Sequence, residues 1–156
     1  MLTHFRRSVS LSMASTDMPV WSTIETTATL YQRERDRYHL LITEPHVSEP
    51  AIFGIKQPDE MRLIWMELSP NRVVMTMQGN GNLSYRHFWE TGKSGINRYW
   101  IHQEPTAHSH QLQLRNFTHS IELRNPSFPS ELHLDYELWS AHTRMGRYVM
   151  HLEIGN

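Results

Sequence analysis

The chain has 156 residues and a formal charge of −1, and 38% of its residues are hydrophobic. This composition is too apolar for a disordered chain, and the balanced charge predicts affinity neither for nucleic acid nor for anionic membranes. No cysteine is present, which excludes disulfides and cysteine metal sites and fits a reducing compartment, so we expect a cytoplasmic protein.

The first predicted element is a strand close to the amino terminus. Val9, Leu11 and Met13 alternate with serines between Ser8 and Ala14, and such alternation places successive side chains on opposite faces of a strand. The arginines and serines of residues 1–16 would also suit a transit peptide, whereas the apolar stretch is too interrupted for a secretory signal. We favour the strand and expect one domain over residues 1–156, with no apolar run that approaches the roughly 18 residues of a membrane span.

A second and a third strand are predicted around the charged turn Arg33–Arg37. The alternating apolar residues are Ile24, Thr26, Ala28 and Leu30 before the turn and Tyr38, Leu40 and Ile42 after it. A helix over 24–41 is the competing interpretation. The density of β-branched threonines argues against it.

The middle of the chain continues as short alternating runs between turn sequences rich in Gly, Pro, Asn and Ser. A long connection over His46–Glu60 interrupts them, with an apolar patch that would suit the end of a barrel. The predicted strands are Met61–Leu68, Val73–Gln78, Leu83–Glu90, Ile96–Gln103 and Gln111–Leu123, the last broken near Phe117 and Thr118.

The carboxyl-terminal region carries the clearest hairpin pattern. Two alternating runs, Leu132–Leu138 and Tyr148–Ile154, flank a polar break at Ser140–Arg147. In total we count about ten short strands and no convincing helix, which predicts an all-β fold, either a curled sandwich or a closed antiparallel meander barrel.

Five segments resemble YwiB-like proteins, which are small bacterial β-barrels of the calycin (lipocalin-like) type. The segments are Thr23–Thr27, Tyr38–Glu44, Val73–Gly79, Phe88–Gly92 and Leu132–Leu138. The resemblance runs from about Val9 to Ile154 and implies a lipocalin-like barrel of about eight to ten strands. It supplies no catalytic residues, since the function of these proteins is not established.

The chain departs from that pattern at two places. Met77 stands where the resemblance leads us to expect an arginine, and His102–Glu104 stand where a threonine and a glycine are expected. These departures bear on any ligand that such a barrel would share with its relatives.

A candidate ligand site lies on the predicted inner wall. His87 shares a face with Tyr85 and Trp89, and Tyr136 alternates with the apolar face of another strand. Tyr99 belongs to the pattern that resembles YwiB-like proteins and is a candidate partner of His87. We expect Tyr85, His87, Tyr99 and Tyr136 to act as polar anchors for a small, mostly apolar ligand. The alternative is a structural histidine that hydrogen-bonds to a tyrosine such as Tyr99, Tyr136 or Tyr148.

Metal and catalytic sites are weaker predictions. His108 and His110 would chelate a metal if His102 or His119 supplied a third ligand, but we favour a polar loop with solvated histidines and predict no metal and no cofactor. Asp135 and Glu137 lie on one strand face, about 7 Å apart, a spacing that resembles a glycosidase pair. Since they alternate with the core face, we assign them to the surface and expect a binding protein rather than an enzyme.

An interaction protein with a filled barrel is the remaining alternative. Trp139 falls on the predicted wet face, where a large apolar residue suggests a contact such as a homodimer. The 45–58 connection is a second candidate surface. The methionines Met61, Met66, Met75, Met77, Met145 and Met150 would suit either an adaptable cavity or ordinary core packing.

Overall fold

Ten antiparallel strands form one closed barrel, as the sequence predicts. The computed structural model describes residues 3–19, 21–44, 62–78, 83–103 and 108–155. Strand order around the barrel is β1-β10-β9-β8-β7-β6-β5-β4-β3-β2, so every strand pairs with its neighbours in sequence and the last strand closes on the first. Closure leaves no free sheet edge, which excludes the sandwich alternative. No helix in the described ranges is long and apolar enough to cross a membrane.

The strands have the following bounds. They are β1 (Thr3–Ser15), β2 (Trp21–Glu34), β3 (Arg37–Glu44), β4 (Arg62–Leu68), β5 (Arg72–Gln78), β6 (Leu83–Glu90), β7 (Ser94–Gln103), β8 (His108–Arg124), β9 (Glu131–Ser140) and β10 (Thr143–Ile154).

The strand register places the alternating apolar residues inside the barrel. Leu11 is directly opposite Leu152 across the closing seam between β1 and β10, and Met66 is opposite Met75 across β4 and β5. Their burial removes apolar surface from water at about 25 cal/mol per Å². The largest fully buried side chains are Trp89, Tyr38, Tyr136, Leu30, Leu40, Ile42, Met66, Leu68, Met75, Leu132, Leu134 and Met150.

One end of the barrel is closed by the connection between β8 and β9. Phe128 packs edge-on against Phe5 at 5.1 Å and against Tyr38 at 6.5 Å. The Tyr38 hydroxyl donates a hydrogen bond to the backbone carbonyl of Ser127, and Arg7 lies over the Phe128 ring at 5.4 Å. These contacts cover the core at this end of the barrel.

The opposite end carries the connections over 45–61, 79–82 and 104–107. The predicted 45–58 interaction surface and the predicted turn at 79–82 therefore lie outside the described residues. The 141–142 turn is at this end too. Here β10 already begins at Thr143 and contains a register shift between Arg144 and Gly146, so the predicted polar break at Ser140–Arg147 is longer than the actual turn.

Candidate functional site

Three of the four predicted site residues form one aromatic cluster on the inner wall of β6 and β7. Tyr85 and Tyr99 are directly opposite each other, and His87 follows Tyr85 on the same face. The His87 ring stacks on Tyr85 with 4.5 Å between centroids and makes a T-shaped contact with Tyr99 at 5.2 Å. The period-two pattern predicted that Tyr85 and His87 share a face of β6, whereas the position of Tyr99 opposite Tyr85 depends on the register of β6 and β7.

The fourth predicted residue, Tyr136, reaches this cluster through Trp89. The Trp89 ring lies 5.2 Å from both His87 and Tyr136. Tyr136 is only 1% exposed, and its hydroxyl donates a 3.5 Å hydrogen bond to the sulfur of Met13, a weak acceptor. Tyr136 therefore faces inward as predicted, but it lies one ring away from His87.

His87 is the member of the cluster with unsatisfied polar atoms. Although it contacts three aromatic rings, neither Nδ1 nor Nε2 has a hydrogen-bond partner among the described residues, and no bond to Tyr99, Tyr136 or Tyr148 forms. Burial lowers the pKa of His87 to about 3, because desolvation disfavours the charged imidazolium. At neutral pH the ring is uncharged and offers one N–H donor and one nitrogen acceptor.

The two buried tyrosines are uncharged as well. Burial raises the pKa of Tyr99 and of Tyr136, since a phenolate in the barrel interior would lose its hydration. The whole cluster is therefore neutral at physiological pH and presents apolar ring faces interrupted by single polar atoms.

A second set of polar side chains on this wall was missed by the sequence-based prediction. Asn97 on β7 and Asn116 and Thr118 on β8 are all fully buried. Asn97 has the same parity as Tyr99 and so faces the same side of β7. The alternation along β7 therefore indicated that Asn97 faces inward, but asparagine is uncommon in a protein core and the position was not predicted.

The two asparagines replace backbone hydrogen bonds where β6 and β7 separate. Ladder pairing between these strands ends at Arg86 and Arg98. Beyond it, the Phe88 N–H donates to Asn97 Oδ1 at 3.4 Å, and Asn116 Nδ2 donates to the Phe88 carbonyl at 2.7 Å. Asn116 Nδ2 is also 2.6 Å from Asn97 Oδ1. We call this arrangement the β6–β7 junction.

The tip of the β6–β7 hairpin then contacts β8 directly. The Gly92 N–H donates to the Thr118 carbonyl at 2.9 Å, and the Thr118 N–H donates to the Lys93 carbonyl at 3.2 Å. Gly92 has φ 72°, a conformation that favours glycine. Backbone groups at the junction are thus satisfied, while several side-chain atoms are not.

Polar atoms without a hydrogen-bond partner are concentrated on this wall. Leaving such a buried atom unpaired costs about 1–3 kcal/mol, so their concentration at one place calls for an explanation. They are His87 Nδ1 and Nε2, Trp89 Nε1, Asn97 Nδ2, Asn116 Oδ1 and Thr118 Oγ1.

The carboxylates Asp135 and Glu137 lie on the outer face of β9, and each is engaged by hydrogen-bond donors. Asp135 accepts two hydrogen bonds from Arg147, at 2.9 and 2.8 Å, and these hold the pKa of Asp135 below its ordinary value. Glu137 accepts a 3.1 Å bond from His119 and another from Trp139, which lower its pKa. Neither is the protonated acid that a glycosidase pair requires.

The Asp135→Asn variant tests how much this outer ion pair contributes. Losing the carboxylate is expected to lower the free energy of unfolding by about 1 kcal/mol at pH 7, a modest value because both partners are partly exposed. Because the folded pKa of Asp135 is depressed, its contribution is present above the unfolded value of 3.8 and is lost as the pH falls below it. Urea titrations at pH 7 and pH 3 should show the two proteins converging in acid.

Trp139 is not the exposed aromatic that the sequence suggested. Its indole N–H donates to Glu137 at 3.1 Å, and Arg115 lies 5.6 Å above the ring. The residue is half-buried by its own neighbours. Trp21, by contrast, is 76% exposed, with Met18 and Met145 at 40% and 44%.

The metal prediction rests partly outside the described side chains. His119 pairs with Glu137, and His110 is exposed, while the side chains of His102 and His108 are not described. Among the side chains that are described, no group of three or more histidine, aspartate or glutamate residues is arranged to hold a metal ion. Of the six predicted methionines, Met66, Met75, Met77 and Met150 are in the core, Met145 is 44% exposed, and Met61 lies outside the described residues.

Comparison with solved structures identifies the fold. The crystal structure of the ywiB protein from Bacillus subtilis matches with a TM-score of 0.63 over 99% of this chain and 94% of that chain, at 15% sequence identity. No family model and no curated protein matches the sequence. The similarity confirms the predicted YwiB-like fold.

Proposed function

Within this YwiB-like barrel, we propose that the inner wall of β6–β8 binds a small, uncharged, mostly apolar molecule. The observation that carries the proposal is His87, an imidazole that is only 7% exposed and that has no hydrogen-bond partner for either ring nitrogen among the described residues. A ligand with one acceptor and one donor would satisfy both atoms, and its apolar body would pack against the neighbouring rings.

The surroundings of His87 select against charged ligands. The rings that contact it belong to Tyr85, Trp89 and Tyr99, and none of them carries a charge at neutral pH. A carboxylate or an ammonium group placed here would lose its hydration without gaining a counter-ion. The favoured ligand is therefore a neutral, preferably planar molecule with a polar edge.

Binding is favoured over catalysis by the same chemistry. A general base works best with a pKa near the working pH, whereas the pKa of His87 is about 3. The carboxylates of β9 face outward and are engaged by Arg147 and His119. We therefore propose a non-enzymatic, cytoplasmic binding protein, the compartment being suggested by the absence of cysteine.

Ligand retention by purified protein tests the proposal. Native mass spectrometry of the wild-type chain is expected to show a small additional mass, and N-phenyl-1-naphthylamine, a neutral fluorescent probe, should bind and compete with it. His87→Phe keeps the ring contacts but removes both polar atoms, so probe affinity should fall roughly tenfold, the effect of one lost hydrogen bond in a buried site.

The matched control is His142→Phe, which changes an exposed histidine of the β9–β10 turn and should leave probe binding unchanged. Two outcomes contradict the proposal: no retained mass together with no probe binding, or equal probe affinity in wild type and His87→Phe.

A homodimeric interaction module is the second candidate. The exposed side chains of Trp21, Met18 and Met145 lie at the same end of the barrel and would form its contact surface. They replace Trp139, the contact residue that the sequence suggested. Sedimentation velocity over a concentration series would show a dimer that Trp21→Ser dissociates. A strict monomer in both proteins would remove this candidate.

A further inference from the structure

The outer wall of β5–β7 carries three arginines around a shallow depression. Arg72, Arg86 and Arg98 line it together with Phe88 and Ile96, and its volume is about 380 Å³. All three arginines are exposed, and Ile96 is 46% exposed. The depression faces away from the barrel interior and shares no lining side chain with the His87 site.

The strand register forces two of these charges together. Arg86 on β6 is directly opposite Arg98 on β7, so their Cβ atoms are about 5 Å apart and the like charges repel. Arg147 and Arg124, by contrast, each lie beside a carboxylate. An anion bound between Arg86 and Arg98 would remove the repulsion between them.

Among the described residues, no carboxylate forms an ion pair with Arg72, Arg86 or Arg98 within 4.0 Å. The ion pairs that involve other cations of the described residues include Arg37–Glu34, Arg124–Glu131, Arg144–Asp17 and Arg147–Asp135. The register partner of Arg72 is Glu90, but that carboxylate accepts Lys93 at 3.2 Å. Arg72 instead lies 4.5 Å above the Phe88 ring.

We infer that this depression binds a small phosphate-bearing anion. Guanidinium groups match phosphate oxygens with paired N–H donors, and Arg86 and Arg98 are close enough to hold one phosphate between them. Arg72, fixed on Phe88, is placed to contact a second phosphate. The exposed side of Ile96 adds an apolar surface for the rest of the ligand. This site takes an anion, whereas the interior selects a neutral molecule.

Isothermal titration calorimetry with sodium tripolyphosphate at low ionic strength tests the inference. Wild type should bind, and the affinity should fall as salt is added, because the site is exposed. Arg86→Gln and Arg98→Gln should each weaken binding roughly tenfold, the equivalent of one charge-assisted hydrogen bond. Arg35→Gln removes the same charge from the β2–β3 turn and should leave the affinity unchanged.

Thermal unfolding separates a binding role from a structural one. Arg86→Gln and Arg98→Gln should melt at or above the wild-type temperature, since each removes the repulsion. A lower melting temperature in both would show that the arginines support the fold and would overturn the inference. His87→Phe should bind tripolyphosphate as wild type does, so failure of the interior site and failure of this site are distinguishable.

Three binding results would also overturn it. They are no heat of binding at millimolar tripolyphosphate, an equal loss of affinity in Arg35→Gln, and binding of a single-stranded oligonucleotide without binding of tripolyphosphate. The last would mean that the wall recognises a polymer rather than a small anion.

Discussion

Replacing His87 with phenylalanine is expected to stabilise the ligand-free barrel and to reduce its sensitivity to mild acid. At pH 7.5 the gain in unfolding free energy should be about 1–2 kcal/mol, because two unpartnered polar atoms are replaced by carbon while the ring contacts with Tyr85 and Tyr99 remain. A loss of stability in His87→Phe would mean that the imidazole makes a favourable interaction.

The acid sensitivity follows from the direction of the pKa shift. The unfolded chain binds a proton at His87 below its ordinary value of 6.5, and the folded chain does so only near 3. Between these values the unfolded state holds more protons, so stability falls with falling pH by up to roughly 1.4 kcal/mol per pH unit. His87→Phe lacks this dependence.

Urea titrations between pH 7.5 and pH 5 isolate the effect of His87. Asp135 and Glu131 have depressed pKa values, so their contributions are lost only at lower pH, below 3.8 and 4.5 respectively. The pKa of His39 is also lowered, mainly by burial, but His39 is present in both proteins and cancels in the difference. Parallel curves for wild type and His87→Phe would contradict the prediction.

The wall on which His87 lies could be predicted from sequence because strand periodicity is local. Alternation placed Tyr85, His87 and Tyr136 on inward faces, and the structure agrees. Tyr99 was proposed from the resemblance and as a partner of His87, and it lies opposite Tyr85. What alternation cannot supply is the relation between strands. Whether His87 meets a hydroxyl or only ring faces depends on the register of β6 against β7 and β8, which period-two patterns do not specify.

The polar residues of the β6–β7 junction could not be assigned for a related reason. Asn97 and Asn116 read as interruptions of apolar runs, and only the separation of β6 from β7 gives them backbone groups to bond. For Trp139, the sequence predicted the outer face correctly. It could not predict that Glu137 and Arg115 cover the ring, because Arg115 lies on a neighbouring strand. The sequence therefore predicted the strands themselves but not the side-chain contacts between them.

Gly95→Ala is expected to destabilise the barrel by about 2–3 kcal/mol, the range for overpacking at a rigid site. A Cβ at Gly95 would lie 2.5 Å from the Phe88 carbonyl oxygen and 3.3 Å from Asn116 Oδ1. The first atom is backbone and cannot rotate away. Gly155→Ala is the matched control, because its nearest atom is 3.4 Å away, and it should change stability by less than about 0.5 kcal/mol.

A double-mutant cycle shows whether this loss acts through the junction. If the new methyl group displaces the Phe88 carbonyl, it also breaks the bond from Asn116 Nδ2, so Asn116→Ala should be less damaging in the Gly95→Ala background than in wild type. We expect a coupling energy of about 1 kcal/mol, typical of residues that share a contact. Chemical denaturation of the four proteins measures it. Strictly additive losses would show that Gly95 and the asparagines of the β6–β7 junction contribute to stability independently.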